Sequence, residues 1–568
     1  MSKALYLCSQ NEDPPLTEHA AREIVDRILP DNFSPNEPSI AQDGNSLLAV
    51  ANPVKLLQQE GTSICLGTMF PPDQDWVVPG GELPDGTFAL FRDNGDKVEI
   101  ATDIVGSRTI WYYKDDDLFV ASTSQRAIIS VLGDFEPNVV AGAWLLSSGS
   151  LGPGLSWDRR IGPVPPDGRF VLDKETWTLE RQRNECEFRV RTDSKTALSD
   201  RLGASLDETF ENLDLDFSRW VLPVSGGVDS RYLLYRLADR DPKCVTWGLP
   251  ENREQRRNDA ALADRLTDHY GVEHRFYDLT PLPDAETVLE RFVVAGEGRI
   301  DHLGGYLDGF RMWADMFERG DVGIVRGDEG FGWLPVLTSQ DVRRTVGLLE
   351  VADWPNLSEL AIPGEERQQL PPCLRQRHCE SLETWRDRLY HQFRIPSLLA
   401  ALNDLKLSYV EIANPFLSRE IITTVRTLPD EYRTNKRLYR EHVSSIGPNI
   451  PEAKYGTGPS TERYLRQEAV VAAMFNTLDT RFARGILSDE LVDHVLALAD
   501  SESSDVDSSG GFQSRLRTFV KGNLPQTIEN VLLTWIVNQT IDPNRLAWRA
   551  YIVVRMHELL EADASLGT

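Results

Sequence analysis

The segment SGGVDS, residues 225–230, combines residue types that could bind a phosphate group. It lies between a short apolar run, RWVLPV, and a predicted helix that begins RYLLYRLA. Two glycines let the backbone approach an anion closely, and two serine hydroxyls can donate hydrogen bonds. The N–H groups at the start of the helix add positive partial charge. The segment therefore predicts a phosphate-binding loop without the GxxxxGK[ST] spacing of a P-loop; the alternative is a plain connection between a strand and a helix.

Asp229 lies inside this predicted anion site, where its carboxylate would repel a phosphate group. A cation that binds both groups removes the conflict. Mg²⁺ suits this task because it prefers carboxylate and phosphate oxygens as ligands. The segment therefore predicts a nucleotide phosphate that is bound together with Mg²⁺.

The surrounding pattern predicts two different architectures. Residues 45–185 predict a β-rich sandwich, since short apolar runs alternate with turn signals and Asn94-Gly95-Asp96 is typical of a hairpin turn. Residues 195–211 predict a helix, and strands then alternate with helices as far as about residue 279, which is typical of a parallel sheet. From about residue 370 the chain is predicted to be mostly helical. The polar segment at residues 501–511 predicts a linker or mobile loop.

Further strings narrow the interpretation of the loop. They are TWGLPENREQRRNDAALADRLTDHYGVEHRFYDL (246–279), VRGDEGFG (325–332), EIANPFL (411–417), KRLYR (436–440) and IPEAKYGTGPS (450–460). Together with SGGVDS, they resemble the motifs of the asparagine synthetase family, whose synthetase domain is an N-type ATP pyrophosphatase. β-Lactam synthetases and lasso-peptide cyclases belong to the same family. The resemblance covers about residues 80–465 in order.

The resemblance implies a role for each matching residue. The residues that would bind ATP are Pro223, Ser225, Gly226, Gly227, Asp229, Ser230, Trp247, Arg326 and Gly327. Asp229 and Asp328 would share one Mg²⁺, because loops that follow strands of one parallel sheet meet at the same edge. Lys454 would be the catalytic residue and would stabilise negative charge that develops on the reacting groups.

The second loop departs from the family pattern. Arg326 stands where the family has a serine, and the loop is shorter than usual. A guanidinium can grip phosphate with two hydrogen bonds, so nucleotide binding is compatible with the change. The alternative is that Asp328 and Glu329 only solvate the loop, with Arg326 as the ion-pair partner of both.

The N-terminal region resembles the second half of a class II glutamine amidotransferase domain, over residues 85–128. An active domain of that class needs a cysteine as its N-terminal nucleophile, and residue 2 is serine here. The sequence also has no RGPD-like or NGEIYN-like segment to hold glutamine. We therefore expect a structural domain without glutaminase activity.

These features predict an α/β protein. Its expected parts are a β-rich sandwich of the Ntn type (residues 1–190) and a parallel-sheet ATP pyrophosphatase domain with a helical C-terminal part (191–568). The resemblance implies an ATP-dependent ligase that adenylates a carboxylate, releases pyrophosphate and transfers the acyl group to an amine. A macrolactam- or β-lactam-forming cyclase and a non-catalytic nucleotide-binding scaffold remain as alternatives.

Composition excludes several other classes of protein. There are 88 acidic and 60 basic side chains, giving a net charge of −28, which disfavours binding to nucleic acid. No apolar run is long enough to span a membrane, no signal peptide is visible, and the six cysteines form no CxxC pair that would predict zinc. We expect a cytoplasmic enzyme acting on a small-molecule or peptide carboxylate and an amine. A homodimer is compatible with these features.

The charge balance predicts that folding depends on salt. Only 11 basic side chains are lysine, and the acidic excess is typical of a protein adapted to a salt-rich cytoplasm. We expect the melting temperature and activity to rise as KCl increases toward molar concentrations, because salt screens the repulsion between surface carboxylates. Thermal unfolding across a KCl series measures this. An unchanged melting temperature in dilute buffer would contradict it.

Overall fold

The computed structural model describes residues 2–11, 15–54, 57–71, 75–448, 450–503 and 540–565. Their strands form two antiparallel sheets of six strands and one parallel sheet of five. The strands are β1 (Lys3–Ser9), β2 (Ser39–Asp43), β3 (Ser46–Ala51), β4 (Gln58–Glu60), β5 (Ser63–Met69), β6 (Gly86–Asp93), β7 (Lys97–Thr102), β8 (Trp111–Lys114), β9 (Leu118–Ser122), β10 (Gly162–Pro163), β11 (Gly168–Asp173), β12 (Thr178–Arg183), β13 (Trp220–Pro223), β14 (Lys243–Gly248), β15 (His274–Asp278), β16 (Gly323–Val325) and β17 (Glu411–Ala413).

Helices cover the parallel sheet and make up most of the chain beyond it. They are α1 (Glu18–Arg27), α2 (Gln125–Leu132), α3 (Val139–Ser148), α4 (Lys195–Glu211), α5 (Val228–Leu237), α6 (Pro250–Arg253), α7 (Asp259–Tyr270), α8 (Ala285–Gly296), α9 (Arg311–Glu318), α10 (Ser339–Val346), α11 (Leu382–Leu389), α12 (Ala400–Leu407), α13 (Arg419–Val425), α14 (Asp430–Arg433), α15 (Arg437–Ile446), α16 (Thr461–Leu465), α17 (Glu468–Leu478), α18 (Arg481–Ile486), α19 (Asp489–Ser503) and α20 (Pro543–Ala564). A π-helical stretch, Tyr390–Leu399, joins α11 to α12.

The two antiparallel sheets pack face to face as a sandwich. Their strand orders are β10-β8-β9-β1-β3-β2 and β12-β11-β7-β6-β5-β4. Side chains from both sheets, among them Tyr6, Leu48, Leu66 and Phe91, are fully buried in one shared core. The predicted hairpin joins β6 to β7, and Gly95 adopts the left-handed backbone (φ 90°) that such a turn needs.

The third sheet is parallel throughout, with the strand order β15-β14-β13-β16-β17. Helices α5 and α7 cross over between consecutive strands, as the alternation of strands and helices predicts. The order of the strands changes side at β13: β14 and β15 follow it on one side, and β16 and β17 are added on the other. Ligands of open parallel sheets bind in the crevice at the carboxyl ends of the strands flanking such a change of side.

The predicted helix at residues 195–211 has the expected bounds, and the region after residue 370 is mainly helical. The predicted fold class, a β-rich sandwich followed by a parallel sheet and helices, is therefore confirmed. In the predicted linker, residues 501–503 end α19, whereas residues 504–511 lie outside the described residues. No helix in the described ranges has the length and apolar character to cross a lipid bilayer.

Helix α20 ties the C-terminal end of the described chain to the N-terminal half. Trp548 is fully buried in a core that includes side chains of α2, α3 and α8. Buried ion pairs fix the helix at two places: Asp563 accepts two hydrogen bonds from Arg126 (2.7 and 3.1 Å), and Arg549 Nε donates to Asp301 at 2.7 Å. Such pairs need both partners, because a single buried charge is costly.

This arrangement predicts that Asp563→Ala destabilises the protein. The substitution leaves the buried guanidinium of Arg126 without its carboxylate, so we expect the free energy of unfolding to fall by about 3–5 kcal/mol. Equilibrium urea denaturation in molar KCl provides the measurement. Glu561→Ala, an exposed acidic position on the same helix, is the matched control. Equal stability of the two variants would show that the pair does not hold α20 in place.

Candidate active site

The SGGVDS loop connects β13 to α5 and includes the first three residues of that helix, Val228–Ser230, and hydrogen bonds within the segment fix its shape. The hydroxyl oxygens of Ser225 and Ser230 are 2.8 Å apart, and Ser230 Oγ accepts from the backbone N–H of Ser225 at 3.0 Å. Ser225 Oγ accepts from the N–H of Gly227 at 3.1 Å. The serine hydroxyls therefore shape the loop, in addition to being available as donors.

The loop ends at the N-terminus of α5 without a capping side chain. Gly227 is the N-cap residue and makes no side-chain cap hydrogen bond. The first N–H groups of α5 therefore stay available to an anion at the positive end of the helix dipole. The N–H of Gly226 donates instead to Asp259 Oδ1 at the start of α7 (3.1 Å), so this carboxylate orients the loop.

The second predicted loop follows β16, next to β13 in the sheet, and contacts the first loop. Gly327 lies so close that a Cβ atom there would be 3.1 Å from Asp229 Cβ. The two loops that the resemblance singled out are therefore in direct contact at the carboxyl edge of the sheet. A side chain at position 327 would need Asp229 to shift by a few tenths of an ångström, so glycine suits this close approach.

Lys436 bridges the two loops. Its ammonium nitrogen is 2.8 Å from Asp229 Oδ2 and 2.8 Å from Glu329 Oε1. Lys436 caps the N-terminus of α15, and both it and Asn435 adopt left-handed backbone conformations (φ 55° and 57°). Such a conformation is costly for a lysine. The packing that enforces it places one cation between two acidic side chains.

The charges in this cluster change one another's proton affinity. Burial and the neighbouring Asp229 raise the pKa of Glu329 to about 7, although Lys436 works in the opposite direction. Burial also raises the pKa of Asp229, and Asp328 adds to the effect. The carboxylates in turn raise the pKa of Lys436 despite its burial. Lys436 is therefore a fixed positive charge between two carboxyl groups that resist ionisation.

Asp328 has a different set of partners. Arg326 Nη2 donates to its Oδ1 and Asn403 Nδ2 of α12 donates to its Oδ2, each at 3.1 Å. Burial favours the neutral acid, but Arg326, Lys406 and Asn403 outweigh it and lower the pKa of Asp328. Lys406 is itself buried beside this arginine, and both effects hold its pKa well below the usual range. Arg326 is thus the ion-pair partner of Asp328. Glu329 pairs with Lys436 instead, so the alternative interpretation holds for one of its two carboxylates. A contact between Arg326 and ATP stays a prediction.

The loop that carries Lys454 lies across both the SGGVDS loop and the end of β14. The N–H of Ala453 donates to Gly226 O at 3.1 Å, and a Cβ atom on Gly226 would be 2.5 Å from Ala453 Cβ. Thr457 Oγ1 donates to Trp247 O at 3.0 Å. The Lys454 N–H itself donates to the backbone at residue 257 (2.9 Å), while its side chain is exposed. The loop is therefore held by its backbone, and its ammonium group is accessible to solvent.

The structure thus brings the predicted residues to one edge of the sheet. Pro223 ends β13, and Trp247 near the end of β14 packs edge-on against Trp313 with ring centroids 5.6 Å apart. The remaining predicted residues lie on the three loops described above. The bridging Lys436 lies in the KRLYR string, but the sequence alone predicts no role for this residue. Lysines are scarce in this chain, and that scarcity was the available signal.

Comparison with known proteins gives weak similarity only. No family model and no curated protein matches the sequence. One solved structure is glutamine phosphoribosylpyrophosphate amidotransferase from B. subtilis complexed with ADP and GMP, which is 10% identical with a TM-score of 0.21. The alignment covers 48% of this chain and 65% of the length of that enzyme's chain. A second, described as the allosteric regulatory enzyme of purine biosynthesis, is 11% identical (TM-score 0.22) over 49% of this chain and 81% of the other. Scores this low assign neither enzyme's activity to this chain.

The Lys436 bridge predicts a pH-dependent loss of stability in Lys436→Met. Without the ammonium group, the pKa of Asp229 and that of Glu329 rise further above their unfolded values. Carboxyl groups with raised folded pKa values stabilise at low pH, and that stability is lost as the pH rises through the folded pKa. We therefore expect a destabilisation of about 3 kcal/mol at pH 8 and a smaller one at pH 5.

Urea denaturation of wild type and variant at the two pH values measures this difference. Lys454→Met removes the same charge from an exposed position and should lower stability little at either pH. A Lys436→Met destabilisation that is the same at pH 5 and pH 8 would show that the two carboxyl groups do not titrate in this range.

Proposed function

We propose that the protein is an ATP-dependent ligase that forms an amide bond. In the first half-reaction, a substrate carboxylate oxygen attacks the α-phosphorus of ATP, and the bond to the departing pyrophosphate breaks. In the second, an amine nitrogen attacks the carbonyl carbon of the acyl-adenylate, and the carbon–oxygen bond to AMP breaks. The amine loses a proton, so the products are an amide, AMP and pyrophosphate.

The observation that carries the proposal is the seating of the Lys454 loop on the phosphate loop. The backbone contact between Ala453 and Gly226 holds the segment that carries the exposed Lys454 against the SGGVDS loop, which leads into the uncapped N-terminus of α5. A helix N-terminus and a lysine on adjacent segments suit a reaction in which charge moves onto phosphate oxygens. Both segments lie at the carboxyl edge of the parallel sheet, where ligands of such sheets bind.

The carboxylate groups of Asp229 and Asp328 have the chemistry to bind a divalent cation. Asp229 Oδ1 is buried and has no hydrogen-bond partner, and carboxylate oxygens are the ligands that Mg²⁺ prefers. Among the described residues, no group of three or more His, Cys, Asp or Glu side chains is arranged to hold a metal alone. We propose that Asp229 and Asp328 hold an Mg²⁺ that also uses ATP oxygens. When bound, the ion neutralises phosphate charge.

The role proposed for Lys454 is to stabilise the transition states. A compact ammonium on a flexible stem can follow negative charge as it develops on the α-phosphate and at the acyl carbon. Pro223 and Trp247 would contact the base and sugar, as the resemblance to the asparagine synthetase family implies; Pro223 ends β13 and Trp247 is the penultimate residue of β14. Arg326 would act through Asp328, whose ionised form it stabilises.

The proposed amine source is not glutamine. Ser2 is buried, and its hydroxyl donates to the backbone carbonyl of Asn52 at 3.1 Å. A buried serine that is already engaged as a donor suits a structural position better than a nucleophile. Free ammonia or an amine on the substrate itself would then complete the reaction, and the second option would make the enzyme a cyclase.

One observation favours a second candidate function, a non-catalytic nucleotide-binding scaffold. Asp328 is already paired with Arg326 and Asn403, so a metal ion would have to compete with both. A scaffold would bind ATP without exchanging pyrophosphate, whereas a ligase would do both when its carboxylic acid is present.

The ligase proposal predicts that Lys454→Ala lowers turnover on the order of 10²-fold while ATP binding changes much less. Calorimetric titration with MgATP measures binding, and exchange of labelled pyrophosphate into ATP, screened over carboxylic acids, measures the first half-reaction. Lys454→Arg should restore little activity, because a planar guanidinium does not replace a compact ammonium.

Two further variants serve as the negative and positive controls of this experiment. Lys97→Ala removes an exposed lysine on β7, a strand of the antiparallel sandwich, and should behave as wild type. Asp229→Asn should weaken MgATP binding and abolish exchange. Wild-type exchange in Lys454→Ala would show that Lys454 is a surface lysine, and failure of the wild type to bind MgATP would overturn the proposed function.

A further inference from the structure

A cavity of about 430 Å³ lies between the sandwich and the C-terminal helices. Its walls come from residues 104–112 and 151–167 on one side, and from residues 391–397 and Arg426 on the other. None of the residues predicted to bind ATP lines it. This cavity is large enough for a small organic molecule. It is distinct from the candidate active site at the carboxyl edge of the parallel sheet.

The walls of the cavity carry positive charge in a strongly acidic protein. The charged side chains that line it are four arginines, Arg108, Arg183, Arg299 and Arg426, and one carboxylate, Asp167. Most of these charges have partners elsewhere. Arg108 pairs with Glu411, Arg299 pairs with Asp404, and Asp167 accepts from Arg419 at 2.7 Å. Arg183 is exposed at the rim.

Arg426 is the exception. Its side chain is buried, at 9% exposure, yet it makes no salt bridge to any acidic group among the described residues. Its Nε donates to His391 Nδ1 at 3.3 Å. The two remaining guanidinium nitrogens, which carry four N–H donors, have no hydrogen-bond acceptor within the described ranges. These two nitrogens are not among the fully buried polar atoms that lack a partner, so they reach the accessible space of the cavity, where no protein carboxylate in the described ranges neutralises them.

His391 cannot supply the missing negative charge and does not compete for an anion. Its Nε2 donates to Gly330 O at 2.9 Å, which leaves Nδ1 as the acceptor for Arg426. Burial and the adjacent Arg426 lower the pKa of His391 to about 3, so the ring is neutral. The histidine therefore holds Nε of Arg426, and it leaves the two Nη nitrogens of this cavity-lining residue without a protein partner in the described ranges.

We propose that this cavity is a binding site for a small anionic molecule, whose oxyanion group is held by Arg426. The fork of N–H donors on an arginine matches the paired oxygens of a carboxylate or phosphate group. Trp111, Leu151 and Phe393 line the same cavity and would pack against an apolar body of the ligand. A macromolecular anion would not fit a space of this volume.

The position of the cysteines provides a local test. Cys373 lines the cavity and is exposed, whereas Cys379 is exposed but does not line it. Alkylation of the native protein by iodoacetamide, followed by peptide mass spectrometry, gives the ratio of the two rates. Inorganic phosphate and succinate are the two probes, each compared with KCl at equal ionic strength so that general salt effects act on both cysteines alike.

We expect one probe to slow alkylation of Cys373 in a saturable way, with Cys379 unchanged. Stronger protection by phosphate would identify a phosphorylated ligand, and stronger protection by succinate a carboxylic acid. Arg426→Gln should weaken the apparent affinity by at least about tenfold. Arg265→Gln, which removes an exposed arginine on α7, should leave it unchanged.

Two results would overturn the proposal. One is that neither anion protects Cys373 of the wild type, which requires no variant to fold. The other is equal protection in Arg426→Gln and wild type, which would place the bound anion away from Arg426. Because no ATP is present, either result leaves the proposed ligase activity untouched.

Discussion

Buried negative charge at the meeting of two parallel strands is the constraint around which the crevice is built. Strands β13 and β16 are neighbours, so the loops that follow them contact each other and bring Asp229, Asp328 and Glu329 together. Lys436 and Arg326 neutralise these groups. The left-handed backbone before α15 belongs to the same arrangement, because it includes Lys436, whose ammonium group contacts both Asp229 and Glu329.

Local patterns predicted most of the fold. The bounds of α4, the hairpin at residues 94–96 and the alternation of strands and helices depend on residues near one another in sequence, so periodicity and turn signals were sufficient. The predicted site residues share one sheet edge for the same reason, since each loop directly follows its strand. Their contact with a nucleotide or metal stays a prediction.

Contacts between residues that are far apart in the sequence could not be predicted from local patterns. Lys436 meets Asp229 across 207 positions, and its conformation depends on packing that no local signal encodes. Arg126 and Asp563 are separated by 437 positions, and Arg426 faces a cavity whose walls come from both halves of the chain. Sequence composition did show many arginines, but it could not separate surface arginines from those that are buried beside carboxylates.

The three loops of the crevice differ in how firmly they are held, and this bears on how the site would work. Internal hydrogen bonds fix the SGGVDS loop, and ion pairs fix the loop that carries Asp328. The Lys454 loop is anchored by hydrogen bonds to the SGGVDS loop and to the end of β14, while the side chain of Lys454 is exposed. A lysine of this kind can reach a bound ligand by rotamer change alone, without the entropy cost of ordering a whole loop. On the proposed function, the enzyme would therefore hold its phosphate-binding surface ready and recruit a single ammonium group as charge develops.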